Sequence, residues 1–215
     1  MSNRAIVALK FFVQPLCLVP LALLVWRFFF HQEDLGADPV NSITHFTGDW
    51  TLYFLLLSLA ITPVRRLSVK LNWLIRFRRM LGLYAFFYAT LHLATYIWLY
   101  SGFDVRAMLN DVLKRRFITA GTLGWLLMVP LALTSTLWSI RKLGGKRWQR
   151  LHRLAYISAI AGVIHFWWLV KSGVRTPWKV TAVLAVLLLA RLVWTWWQSR
   201  RKAAPKRQQQ QPSAA

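Results

Sequence analysis

Three histidines lie within or at the edge of long apolar runs. His92 stands in YATLHLATYIW (88–98), and His152 and His165 stand thirteen residues apart in WQRLHRLAYISAIAGVIHF. A neutral imidazole is a ligand for iron, copper or zinc. In an apolar run it is costly unless it finds a partner, and a polar group at such depth usually has a task. Neither apolar run contains an aspartate or glutamate to serve as that partner. The other two histidines, His31 and His45, fall near acids in a polar stretch and read as solvated loop residues.

The elements that must position these imidazoles are membrane-spanning helices. Of 215 residues, 57% are hydrophobic and 13 are tryptophan, while the formal charge is +22 with only six acids. A nucleic-acid binder of that charge would rarely carry near-continuous apolar stretches of about 18 residues or more. Six stretches qualify as spans, at roughly 9–30, 49–64, 80–100, 119–138, 151–170 and 178–198. The expectation is an all-α membrane protein, a bundle of six helices over residues 1–199. A basic, polar tail over 200–215 is expected to be disordered. The first apolar run is too long for a cleaved leader and has no A-x-A-like site after it, so it is expected to be retained. The lone Cys17 excludes an internal disulfide or a thiolate metal cluster.

Charge placement orients the bundle. Arg65, Arg66, Lys70, Arg76, Arg78 and Arg79 follow the second span, and Arg141, Lys142, Lys146, Arg147 and Arg150 follow the fourth. Arg4, Lys10 and the basic tail belong to the same side if there are six spans. The positive-inside rule makes that side the cytoplasm, with both termini inside. All six acids fall on the opposite side. The arginine-rich second loop has two readings: contact with anionic lipid heads, or docking of a phosphate-bearing flavin or an acidic electron donor.

In this frame His92 is about 18 Å into the third span and His165 about 21 Å into the fifth, both counted from the basic side. The two imidazoles are therefore level. On each helix a stripe of small residues ends at the histidine: Gly82, Ala85 and Ala89 before His92, and Ser158, Ala161 and Gly162 before His165. Such stripes either let helices pack closely or leave room for a flat macrocycle. Zinc would want a third and a fourth donor, and none is at this level. Haem iron wants one or two axial ligands, so His92 and His165 form a complete set suited to electron transfer. His152 lies about 20 Å from His165 along the axis, near the spacing of two stacked haems. It is rotated about 140° away, however, so both cannot face one groove without a kink. The matching positions on the third span are Arg78 and Arg79. His152 is thus a ligand of a second haem, an interfacial residue or a flavin contact. Arg106, Lys114, Arg115, Arg116, Lys171 and Arg175 are candidates to anchor haem propionates or dock a partner on the acidic side.

The segments ITPVRR, RRMLGLYAFFYATLHLATY and KRWQRLHRLAYISAIAGVIHFWW, on a six-span plan, resemble the ferric-reductase-like transmembrane group. Within that group they resemble the MsrQ (YedZ) family, the haem-binding membrane subunits of the periplasmic protein-methionine-sulfoxide reductase system. The resemblance covers nearly all of the chain except the tail. It implies a b-type haem protein of the bacterial inner membrane, with one or two haems held by His92, His152 and His165. It further implies electrons passed outward to a soluble molybdopterin reductase that repairs oxidised methionine, an association with FMN, and quinol or a cytosolic flavin reductase as donor. The larger oxidases of the group carry two histidines on each of two helices, whereas the third span here carries one. After the sixth span only a polar tail is expected, without a fused flavin–nicotinamide domain. The alternatives are a quinol-linked cytochrome with another periplasmic acceptor and a transporter with a histidine proton relay. An intramembrane hydrolase is disfavoured, because H-E-x-x-H, G-x-S-x-G near a buried histidine and paired aspartates are all missing.

Overall fold

A computed structural model describes residues 2–170 and 177–203. All regular structure among them is helical. Helix α1 spans Asn3–Phe30 and α2 Pro39–Leu67. Helix α3 spans Ile75–Thr95 and continues as a wider π-turn, Tyr96–Tyr100. A short helix α4, Val105–Lys114, leads to α5, Arg116–Leu133. Two brief helices, α6 (Leu137–Leu143) and α7 (Gly145–Leu151), precede α8, Leu154–Leu169, and α9, Trp178–Ala203. Five stretches are long and apolar enough to cross a membrane: α1, α2, α3 with its preceding turn and π-turn, α5 and α9. Helix α8 has 16 residues, which leaves it below that length.

Helix boundaries follow local chemistry. The second span was expected to begin at Asp49, but α2 starts ten residues earlier. Asp38 accepts from the Asn41 amide, and Pro39 occupies the first helical position, where its missing N–H costs nothing. His45 is therefore a half-buried helix residue and not a loop residue. The fourth span was expected to reach residue 138, yet α5 stops at Leu133. Pro130 removes one amide, and the Thr134 and Ser135 hydroxyls fold back onto the Pro130 and Leu131 carbonyls. Helix α9 runs to Ala203, so residues 200–203 of the expected tail are helical; the remainder, 204–215, lies outside the described residues.

The core lies between two helix pairs, α2 along α3 and α5 along α8, with α9 leaning on α2 and α8. Small residues make the pairing close. Ala85 is fully buried and Gly82 meets Ser58, while Gly124 sits against Ala161 and the Ser158 and Gly162 backbone. The Ser158 hydroxyl donates to the Gly124 carbonyl at 2.8 Å. Close helix packing accounts for Ala85, Gly124, Ser158 and Ala161, whereas Gly82 also borders a cavity between the helices. Helix α1 is tied on through Tyr88, whose hydroxyl accepts from the Leu21 amide at 3.1 Å and donates to the Cys17 carbonyl at 2.9 Å. Those are the two groups an unbroken helix would pair directly, and Pro20 lies between them. Outward faces are apolar: Phe11, Phe12, Leu189 and Val193 are all largely exposed, as lipid-facing side chains would be.

Candidate functional site

His92 sits one turn before the end of α3, and its Nδ1 lies 2.9 Å from the Thr44 carbonyl on α2. His165 sits near the end of α8, with Nδ1 2.6 Å from the Phe117 carbonyl on α5. A ring nitrogen facing a carbonyl must carry the proton, so Nε2 of each imidazole holds the free lone pair. The ring centres are 5.9 Å apart and the ring planes are nearly perpendicular, at 80°. The sequence expectation that these two rings meet at one level therefore describes their actual arrangement.

Each ring lies close against a glycine of the neighbouring helix. A Cβ on Gly48 would come within 3.2 Å of the His92 ring, and one on Gly121 within 2.8 Å of His165 Nδ1. The two half-sites are alike in register as well as in kind. A shift of 73 residues carries Thr44, Gly48 and His92 onto Phe117, Gly121 and His165. In both, the histidine follows its carbonyl partner by 48 residues. Carbonyls and glycines of this sort escape a search for chemically active side chains. The available signal was the histidine pair itself, from which equal spacing back to Gly48 and Gly121 can be read. The structure adds a π-turn that begins four residues after His92, and such turns collect at functional sites.

These residues fit a metal held from two sides. A nitrogen–metal bond of about 2.0 Å on either side, plus about 1.1 Å from nitrogen to ring centre, sets ring centres about 6 Å apart. Among the described residues no cluster of three or more histidine, cysteine, aspartate or glutamate side chains could hold a metal ion. A metal bound by only two side chains needs its other ligands from elsewhere, which a tetrapyrrole supplies.

His152 occupies a different site. The helix breaks at this histidine: α7 ends at Leu151 and α8 restarts at Leu154, with His152 in the break. Its Nε2 lies 3.2 Å from the Thr134 hydroxyl, and its ring stacks on Trp148 at 3.8 Å. Trp148 in turn donates to the Thr134 carbonyl at 2.8 Å. His152 lines a cavity of about 440 Å³ between the four core helices, together with Arg78, Arg79, Arg153, Gly82 and Phe86. The 73-residue shift that relates the half-sites carries Arg79 onto His152, so the symmetry of the histidine pair is broken at this level.

Of the other candidates, His31 pairs with Glu33 at 3.1 Å and packs on Trp26, away from the histidine pair. Arg115 pairs with Asp111 at 3.0 Å, and Asp111 also accepts from the Tyr96 hydroxyl at 2.9 Å. Arg106 and Lys114 are exposed on α4, and Arg116 is exposed at the start of α5. Lys171 and Arg175 lie outside the described residues.

Comparison with known proteins adds an independent line. Residues 47–163 match the family model described as "Ferric reductase like transmembrane component"; the match begins one residue before Gly48 and stops two before His165. A protein of Herminiimonas arsenicoxydans named "Protein-methionine-sulfoxide reductase heme-binding subunit MsrQ" is 55% identical over 166 residues, 76% of each chain. A protein of the same name from Xanthomonas oryzae pv. oryzae (strain MAFF 311018) is 48% identical over 195 residues, 87% of each chain. Another, from Ralstonia nicotianae, is 45% identical over 196 residues, covering 90% of this chain and 88% of the relative. Identity of this depth spans both half-sites and the helices between them, and on that ground the chain belongs to the ferric-reductase-like transmembrane family, among its MsrQ members, as a multi-pass membrane protein.

Proposed function

We propose that the chain is an electron-transfer subunit that binds b-type haem through His92 and His165 and serves a periplasmic, molybdopterin-containing methionine-sulfoxide reductase in protein repair. The observation that carries this reading is the pair of imidazoles 5.9 Å apart, each with Nδ1 turned to a backbone carbonyl of the neighbouring helix. The printed names of the relatives support the haem and the reductase system.

Haem held by His92 and His165 would supply a one-electron couple. The chain's own residues do the remaining work. The Thr44 and Phe117 carbonyls hold the protons at Nδ1, which fixes the tautomer and raises the basicity of Nε2. Gly48 and Gly121 let both rings lie close to the helices that present those carbonyls. With six spans, the arginine-rich end would place both termini in the cytoplasm of a bacterial inner membrane. In that frame α8 is the short fifth span, and the histidine pair lies toward the periplasm, where the reductase docks.

Electrons enter from quinol or from a cytosolic flavin reductase on the arginine-rich side. The cavity beside His152 suits a second tetrapyrrole or the phosphate of FMN, with Arg79 and Arg153 facing the anionic groups. Because Arg79 stands where symmetry calls for a second imidazole, a second haem here would have His152 as its histidine ligand on one side alone. The test is the visible spectrum of purified protein, oxidised and then dithionite-reduced. His92→Ala and His165→Ala are expected to remove the main Soret band, while His31→Ala leaves it intact. A full Soret band in both of the first two variants would overturn the assignment.

A further inference from the structure

Helix α4 joins the ends of two stretches that are long and apolar enough to cross a membrane. Tyr100 is the last residue of one and Arg116 the first of the next. Only residues 101–104 separate α4 from Tyr100, and Arg115 alone separates it from α5. Gly102 and Phe103 both take positive φ, 55° and 65°, and turn the chain out of the span into this helix. Tethers so short hold both ends of α4 at the membrane surface.

The sequence VRAMLNDVLK divides α4 into three faces. At about 100° per residue, Met108, Asp111 and Val112 share one face, Val105, Leu109 and Leu113 a second, and Arg106, Asn110 and Lys114 a third. The first face is half-buried on the bundle. Asp111 secures it there, accepting from the Tyr96 hydroxyl at 2.9 Å and pairing with Arg115 at 3.0 Å. The third face is polar and exposed, which suits water. The second lies between the other two and is apolar, yet Val105, Leu109 and Leu113 are 62%, 61% and 85% exposed.

The residues just before α4 say what covers that stripe. Trp98, Tyr100 and Phe103 are also exposed, and Trp and Tyr gather where a span meets the lipid headgroups. Phe103 is in addition a bulky side chain in the left-handed region, where a turn in water ordinarily carries Gly, Asn or Asp. Its exposed ring gains a reason to be there if lipid surrounds it. Arg106 and Lys114 border the stripe on the polar side, as cations do on helices that lie along a bilayer surface.

We propose that α4 is an interfacial helix lying in the membrane plane, with Val105, Leu109 and Leu113 set among the acyl chains and Arg106 and Lys114 at the lipid phosphates. The face offered to water is then Arg106, Asn110 and Lys114. This placement needs neither haem nor either choice of which side is the cytoplasm. Nitroxide accessibility in the full chain, reconstituted in bilayers of phosphatidylethanolamine and phosphatidylglycerol, tests it. Labels are carried by Leu109→Cys, Leu113→Cys and Asn110→Cys, each combined with Cys17→Ala to remove the native thiol. Leu189→Cys on the outer face of α9 gives the lipid-facing standard. Oxygen concentrates among acyl chains, whereas a nickel chelate stays in water. Labels at positions 109 and 113 are expected to show a several-fold higher ratio of oxygen to nickel relaxation than the label at 110, approaching the standard. Ratios at 109 and 113 equal to that at 110 would place the stripe in water and overturn the proposal. Shielding of both positions from both reagents would overturn it too, because protein rather than lipid would then cover the stripe.

Discussion

At the residue scale, the site depends as much on what is missing from two positions as on the imidazoles themselves. Gly121 leaves no atom where a Cβ would sit 2.8 Å from His165 Nδ1, and Gly48 clears the His92 ring by a smaller need, 3.2 Å. Gly121→Ala must push the ring off the Phe117 carbonyl. It is expected to weaken haem binding roughly 10-fold or more, as loss of an outer-shell partner does. Alanine is also the better helix former by about 0.5–1 kcal/mol, so the haem-free protein should be no less stable. Haem titration against thermal melting of the haem-free form separates the two effects, and Gly48→Ala should show the same pattern more weakly. Unchanged haem affinity in Gly121→Ala would mean that the glycine does not position the ring. The histidines were legible in the sequence because an imidazole among apolar residues is conspicuous. The carbonyls of Thr44 and Phe117 were not, since every residue has one and only the pairing of helices selects which is used.

At the scale of elements, the spans were readable from apolar length, while their ends answered to capping and proline. Asp38 and Pro39 together announce a helix start, but the acids around them suggested a loop, and His45 was misplaced with it. Pro130 and the hydroxyls after it shorten α5, which brings Thr134 to His152. The same grammar joins α1 to the bundle, because Tyr88 bridges a backbone pair at Pro20. Tyr88→Phe removes the hydroxyl from a fully buried position and leaves the Cys17 carbonyl and Leu21 amide without it. The expected loss is about 1–3 kcal/mol. In detergent that lowers the melting temperature by roughly 2–4 °C per kcal/mol, with the Soret maximum unmoved. A variant as stable as the parent would show that the bridge does not hold α1.

At the scale of the whole molecule, charge is sorted along the bundle axis. The six acids and the histidine pair share one end, and the arginine cluster with the cavity beside His152 occupies the other. The positive-inside rule predicts that the arginines face the cytoplasm. Reporter fusions give the check: a cytoplasm-active reporter placed after Gly144, between α6 and α7, is expected to be active, and one placed after Gly102, before α4, is expected to be silent. The reverse pattern would invert the molecule and point the histidine pair inward, away from any periplasmic acceptor.

Taken alone, the chain determined that it is helical and membrane-spanning, with two imidazoles at matching heights on their helices, because apolar length and the rise per residue need no neighbours. It also showed that His152 could not share their face without a kink. Tertiary structure decided the rest: which carbonyls orient the rings, which glycines admit them, and which small residues serve close packing. It also decided that arginines distant in sequence meet without an acid. These outcomes depend on which helix lies against which, and apolar periodicity is blind to that choice because every lipid-facing stretch looks alike.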